Sequence, residues 1–168
     1  IGASVSFILQ ISLTLRPTTN PHLNAFRKQH QLSPQELILF RDTLGDARTQ
    51  INTLLDALAN SPTLAKIEQE TGGWAAAQAI FQELMQHPRE LLIFDAFLYQ
   101  QLPKLVTAVQ QVQRITTTAV HTPEIDTALQ AIYTTIRVLA TQITQDYETL
   151  VRTEAANIIQ TQEATDGQ

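Results

Sequence analysis

Glu83 and His87 stand four residues apart, a spacing that on a helix could aim two metal ligands from one face. His87 directly precedes Pro88, where a helix N-cap belongs, and no third ligand is evident nearby in sequence. The pair is therefore read as helix punctuation. Asp42 and Asp46 could share a helix face as paired carboxylates do in acid and base work. Arg41 and Arg48 flank them, and Asp46 to Gln50 is an ordinary polar ladder of a solvated helix. His22, His30, His87 and His121 fall in or beside expected loops, and none accompanies a serine or cysteine nucleophile in a recognisable motif. Gly72 and Gly73 follow no strand, so they are not read as a phosphate loop. The sequence thus assigns no catalytic, cofactor-binding or metal-ligating residue, and no cofactor. Trp74, Phe81 and Phe94 recur at helical spacing and are expected in a core. Phe97 and Tyr99 lie on a different face from Phe94 and beside Pro103. These three are the candidate interaction surface, as an exposed groove or an oligomer contact.

The elements that would position such residues are all helical. Ser33, Pro34 and Glu36 make an N-cap, a first-turn proline and a capping box. Leu37, Leu44, Ile51 and Leu58 then recur every seven residues, with Phe40, Ala47 and Leu54 between them, the seam of a bundle or coiled coil. Asn60, Ser61 and Pro62 end that helix. Leu64 and Ile67 suit a short second helix, after which Gly72 and Gly73 supply positive-φ positions. Trp74, Ala77, Ile80, Phe81 and Leu84 form one face of a third. His87, Pro88 and Glu90 read as the start of another, whose apolar positions run from Leu91 to Ile115, with a kink or a junction of two helices near Gln101 because of Pro103. Thr122, Pro123 and Glu124 cap a long final helix carrying Ile125, Leu129, Ile132, Ile136, Leu139, Ile143 and Leu150. The expected fold is all-α, an elongated antiparallel bundle of four to five helices with a long C-terminal helix.

With 168 residues and 43% hydrophobic content, the chain can bury one core. The net charge of -5, with eleven scattered basic residues, argues against nucleic-acid binding. The absence of cysteine excludes disulfides and thiolate metal sites. Residues 1–15 are the most apolar stretch but fall short of the roughly 20 residues a membrane helix needs. They are read as the end of a membrane span or an apolar helix, with a strand or disordered arm as the alternative, because Val5, Phe7, Leu9, Ile11, Leu13 and Leu15 alternate with polar residues. Arg16, Arg27 and Lys28 follow as cytoplasmic flanking charges would. Residues 16–32, interrupted by Pro17, Asn20 and Pro21, are expected to be an exposed linker. Residues 33–160 form the bundle domain, and residues 161–168 a disordered polar tail.

Three stretches carry a resemblance. They are LSPQELILFRDTLGDARTQINTL at residues 32–54, HPRELLIFDAFLYQQLPKLVTAVQQV at residues 87–112, and the long final helix with its polar end. Phe94, Phe97, Tyr99, Leu102 and Pro103 make the aromatic run leading into a Leu-Pro pair. In these the chain resembles the 5-bromo-4-chloroindolyl phosphate hydrolysis (XpaC-like) family, loosely grouped with TelA-type toxic-anion resistance proteins. The resemblance implies a membrane-anchored bacterial protein with a helical part on the cytoplasmic face of the cell membrane. It also implies, through the family name alone, a phosphoester hydrolase or an accessory factor for one. The reading preferred from the residues is a non-enzymatic helical domain, with a protein partner or self-association through its helices, in envelope or stress physiology.

Overall fold

The computed structural model describes residues 21–167, and every described element is helical. In chain order these are α1 (Pro21–Gln29), α2 (Pro34–Ala59), α3 (Pro62–Thr71) and α4 (Gly73–Gln86), a 3-10 turn (Pro88–Leu92), a π turn (Phe97–Gln101), α5 (Leu102–Thr116) and α6 (Pro123–Asp166). The all-α architecture with a long C-terminal helix is the one the sequence predicts.

The start of α2 is fixed locally. The Ser33 hydroxyl accepts from the Glu36 amide at 3.1 Å, and the Ser33 amide donates to Glu36 Oε2 at 2.7 Å. Two of the amides that a helix N-terminus leaves unpaired are thereby satisfied. Those bonds also hold the Glu36 carboxyl below its ordinary value. Ser33→Ala should lower stability by about 1 kcal/mol in urea titration, and an unchanged midpoint would mean that the cap contributes nothing.

From that start, Leu37, Phe40, Leu44, Ala47, Ile51 and Leu54 face inward, so the seven-residue recurrence is the core face of α2. Ser61 and Thr122 cap α3 and α6 in the same way, accepting from the amides of Leu64 and Ile125. The core of α4 is Trp74, Ala77, Ile80, Phe81 and Leu84. It is enclosed by α2 on one side and α6 on the other, with α5 also lying between α2 and α6.

The two glycines between α3 and α4 have different reasons. Gly72 takes φ +69 as the left-handed C-cap of α3, a conformation that disfavours any Cβ. Gly73 has no positive φ, and its reason is proximity, because Ala140 of α6 crosses directly over it. Thr144 Oγ1 donates to the Thr71 carbonyl at 2.8 Å, one turn further along the same crossing. The first turn of α4 lacks a side-chain cap of its own. Glu68, on α3, supplies one, accepting from the amides of Trp74 at 2.7 Å and Ala75 at 3.1 Å.

Three sequence expectations are corrected. Residues 21–29 of the expected linker form α1, with Leu23 and Phe26 buried and the Phe26 ring stacked on Phe40 at 5.3 Å between centroids. Pro21 sits at the first helical position, where its missing N–H costs nothing, so it begins a helix instead of breaking one. The start at His87 yields only the 3-10 turn, with no side-chain cap bond. The expected disordered tail is helical as far as Asp166, since Gln, Glu, Ala and Thr at residues 160–166 carry no helix breaker. The readings of residues 1–15 lie outside the described residues.

Candidate functional site

Titratable groups converge where α4 ends. Glu83 lies in the last turn of α4, and His87 follows it four residues later, at its C-cap. The 3-10 turn then brings Glu90 back toward Glu83, and α6, passing the same end of the bundle, contributes Glu154. One carboxylate oxygen from each of the three glutamates lies within 4.8 Å of the others. His87 Nε2 stands 3.6 Å from Glu83 Oε1.

The local electrostatics follow from that crowding. Burial, then the neighbouring Glu83 charge, pushes the Glu90 carboxyl above its ordinary value, with His87 partly opposing. Burial, then the nearby His87, lowers the His30 imidazole. Glu83 Oε1 and Glu90 Oε2 are both buried without a hydrogen-bond partner. Among the described residues, no arginine or lysine pairs with any of the three carboxylates. Arg89 turns to donate to the Gln31 carbonyl at 3.0 Å. Oxygens so placed can share a proton or a cation. The desolvation and like charge around Glu90 favour the neutral acid, and exposed acidic groups gather in this way without an ion. The arrangement is accordingly a carboxylate junction between α4, the 3-10 turn and α6.

The other sequence candidates are dispersed. Asp42 pairs with its neighbour Arg41 at 2.9 Å, and Asp46 is exposed one turn on. His22 and His121 are exposed and far from the junction in sequence. Phe97, expected at a surface, is instead 1% exposed and part of the core. The cause lies next to it. Pro103 lacks the N–H that would bond the carbonyl four residues back, and the chain widens into the π turn, where the Leu102 amide reaches Phe97 O. That extra residue rotates Phe97 inward and leaves Tyr99 outward, 59% exposed, with its hydroxyl 3.4 Å from Thr43 Oγ1. Pro103 is half-buried. Beside the π turn, Gln100, Gln101, Lys104, Gln142, Gln145 and Asp146 line an open polar groove of about 460 Å³, in which Gln101 Nε2 donates to Asp146 Oδ2 at 2.9 Å.

Sequence reasoning singled out Glu83 and His87 through their spacing but had no means of adding Glu90 and Glu154. Glu90 reads as a helix-start residue, and Glu154 is remote in sequence. Only the return of α6 past the end of α4 joins them.

Exposed apolar side chains include Ile38 and Leu39 on α2, Tyr99, Val120 and Val138, and two further groups. Leu92 and Ile93, on and after the 3-10 turn, are 88% and 68% exposed. On α6 the last buried residue is Ile143, and Tyr147 and Leu150 still pack against the core. Residues 151–166 are exposed throughout, Val151, Ile158 and Ile159 among them. No helix among the described residues is long and apolar enough to cross a membrane.

The sequence model of a family described as 5-bromo-4-chloroindolyl phosphate hydrolysis protein matches residues 1–158. No curated protein and no solved structure matches the chain.

Proposed function

Since the chain belongs to the 5-bromo-4-chloroindolyl phosphate hydrolysis protein family, whose description suggests a possible hydrolysis role, we propose that it is a helical contact module held at the cytoplasmic face of a bacterial membrane. On this reading it takes part in hydrolysis as an accessory factor, and not as the catalyst. The carrying observation is the exposed last third of α6. A 44-residue helix is about 66 Å long, and the apolar packing of the bundle reaches along it only as far as Leu150. The remainder carries Val151, Ile158 and Ile159 into solvent, which is the form of surface that helix partners cover. Tyr99, in the π turn, adds an exposed aromatic elsewhere on the surface. The apolar stretch in residues 1–15 and the basic residues that follow it support attachment to a membrane.

Fractionation of the natural gene product should place it in the membrane pellet, and crosslinking through the exposed position 155 should capture a specific partner helix or a second copy. Ile158→Asp with Ile159→Asp should abolish that crosslink without altering the circular dichroism of the bundle. A protein recovered wholly in the soluble fraction would defeat the membrane attachment. Turnover of 5-bromo-4-chloroindolyl phosphate by the purified chain, tested with several divalent metals, would replace the contact reading with that of a hydrolase.

A further inference from the structure

We propose that the groove between the π turn and α6 binds a short peptide with free termini, its carboxylate on Lys104 and its ammonium on Asp146. Two stripes of side chains wall the groove. Gln100, Gln101 and Lys104 share one side of the π turn and the start of α5, and Gln142, Gln145 and Asp146 share one side of α6, each set at spacings of three and four residues. Ala96 and Leu139 complete the lining. The groove's volume of about 460 Å³ lies within the roughly 300–1,000 Å³ of small-molecule sites. It sits on the part of α6 that packs on the bundle, apart from the contact surface proposed above.

These side chains are incompletely matched among themselves. Among the described residues, neither Lys104 nor Asp146 belongs to an ion pair, although both line the same groove. The carboxamide of Gln101 is half satisfied. Its Nε2 donates to Asp146 Oδ2 at 2.9 Å, whereas its Oε1 is buried without a hydrogen-bond partner, a costly state for an acceptor. The last torsion of a glutamine is broad and roughly two-fold. A ligand ammonium that takes the place of Nε2 on Asp146 therefore frees the Gln101 carboxamide to turn and offer Oε1 to a ligand N–H.

The class of ligand follows from these groups taken together. An apolar ligand would strip water from the carboxamides and return no hydrogen bond. An anion would face Asp146, and a cation would face Lys104. A zwitterion answers both charges, and the peptide groups between its ends offer the donors and acceptors that carboxamides complement. The helix sets the length. Lys104 lies beyond Gln101 by about 4.5 Å of helical rise, and each extended residue advances about 3.5 Å. A peptide of two or three residues therefore reaches from Asp146, beside Gln101, to Lys104, with small side chains over Ala96 and Leu139.

Titration of the isotope-labelled chain with trialanine, followed by two-dimensional NMR, reads the site through the side-chain amides of Gln100, Gln101, Gln142 and Gln145. Their signals should shift together and saturate below about 10 mM peptide. Trialanine blocked at both ends, and alanine alone, should each bind roughly tenfold more weakly or worse, since each lacks either the charges or the span. Lys104→Met and Asp146→Asn should each weaken trialanine by a similar factor. Both positions are exposed, so each variant should keep the circular dichroism of the parent chain. Signals that do not saturate with trialanine overturn the site. Equal binding of the blocked peptide or of alanine, or an affinity that survives both substitutions, overturns the recognition of a zwitterionic peptide and the proposal with it.

Discussion

Gly73→Ala is expected to lower the stability of the fold by about 3 kcal/mol, at the upper end for an added methyl in a packed crossing. A Cβ at this position would overlap the Ala140 Cβ and lie 2.6 Å from its Cα and 2.9 Å from its carbonyl oxygen. Two of these three atoms are backbone, so no rotamer change in α6 relieves the overlap. The helices must separate, which would also stretch the Thr144 to Thr71 hydrogen bond. Gly72→Ala is the control. Its strain is conformational, from φ +69, and only Thr144 Oγ1 at 3.8 Å lies near the new Cβ. The expected cost there is smaller, about 1 kcal/mol. Ala140→Gly should rescue Gly73→Ala only in part, since it removes one of the three overlaps and adds a glycine within a helix. Urea unfolding midpoints of the four proteins decide the matter. Equal costs at the two glycines would show that α4 and α6 do not approach as closely as the structure has them.

That pair of glycines shows what could be read from the chain and what could not. Both read as helix punctuation, because glycine after a short amphipathic run is the local signature of a C-cap. For Gly72 that is the whole explanation. For Gly73 the constraint comes from Ala140, far along the chain, and a contact between distant helices leaves no local trace. The same division holds elsewhere. Ser33, Ser61 and Thr122 lie beside their prolines and cap the helices they precede. The inward faces of α2, α4 and α6 follow from period alone. The π turn was legible only as a problem posed by Pro103, with a kink and a junction both open. Its solution, one extra residue in the turn, decides that Phe97 is core and Tyr99 is surface.

The carboxylate junction was harder still to see. Spacing within one helix relates Glu83 to His87, but the third and fourth members come from a turn that resembled a helix start and from a stretch of α6 that resembled plain solvated helix. Each of these glutamates is ordinary alone. What distinguishes them is that burial and like charge act on Glu90 together, and that is a property of the assembled bundle. The exposed last third of α6 was hidden in the same way, because the apolar residues of a long helix look alike in sequence whether or not another helix lies against them.

Trp74→Ala should cost about 4 kcal/mol, within the range for removing a large aromatic from a core. The side chain is 2% exposed, in the first turn of α4. Its indole Nε1 donates to the Leu54 carbonyl of α2 at 2.9 Å, so one residue joins α2 to α4 through both packing and a buried polar bond. Trp74→Phe separates the two contributions. The Leu54 carbonyl keeps its helical partner within α2, so losing the indole donor leaves no orphaned acceptor, and that loss should amount to about 1 kcal/mol. Most of the remaining deficit would come from the smaller ring, giving about 2 kcal/mol for phenylalanine overall. Because Trp74 is the only tryptophan, the comparison should be followed by far-ultraviolet circular dichroism instead of fluorescence. If phenylalanine proved as damaging as alanine, the hydrogen bond to α2 would outweigh the packing. If alanine were tolerated, Trp74 would not be the link between α2 and α4.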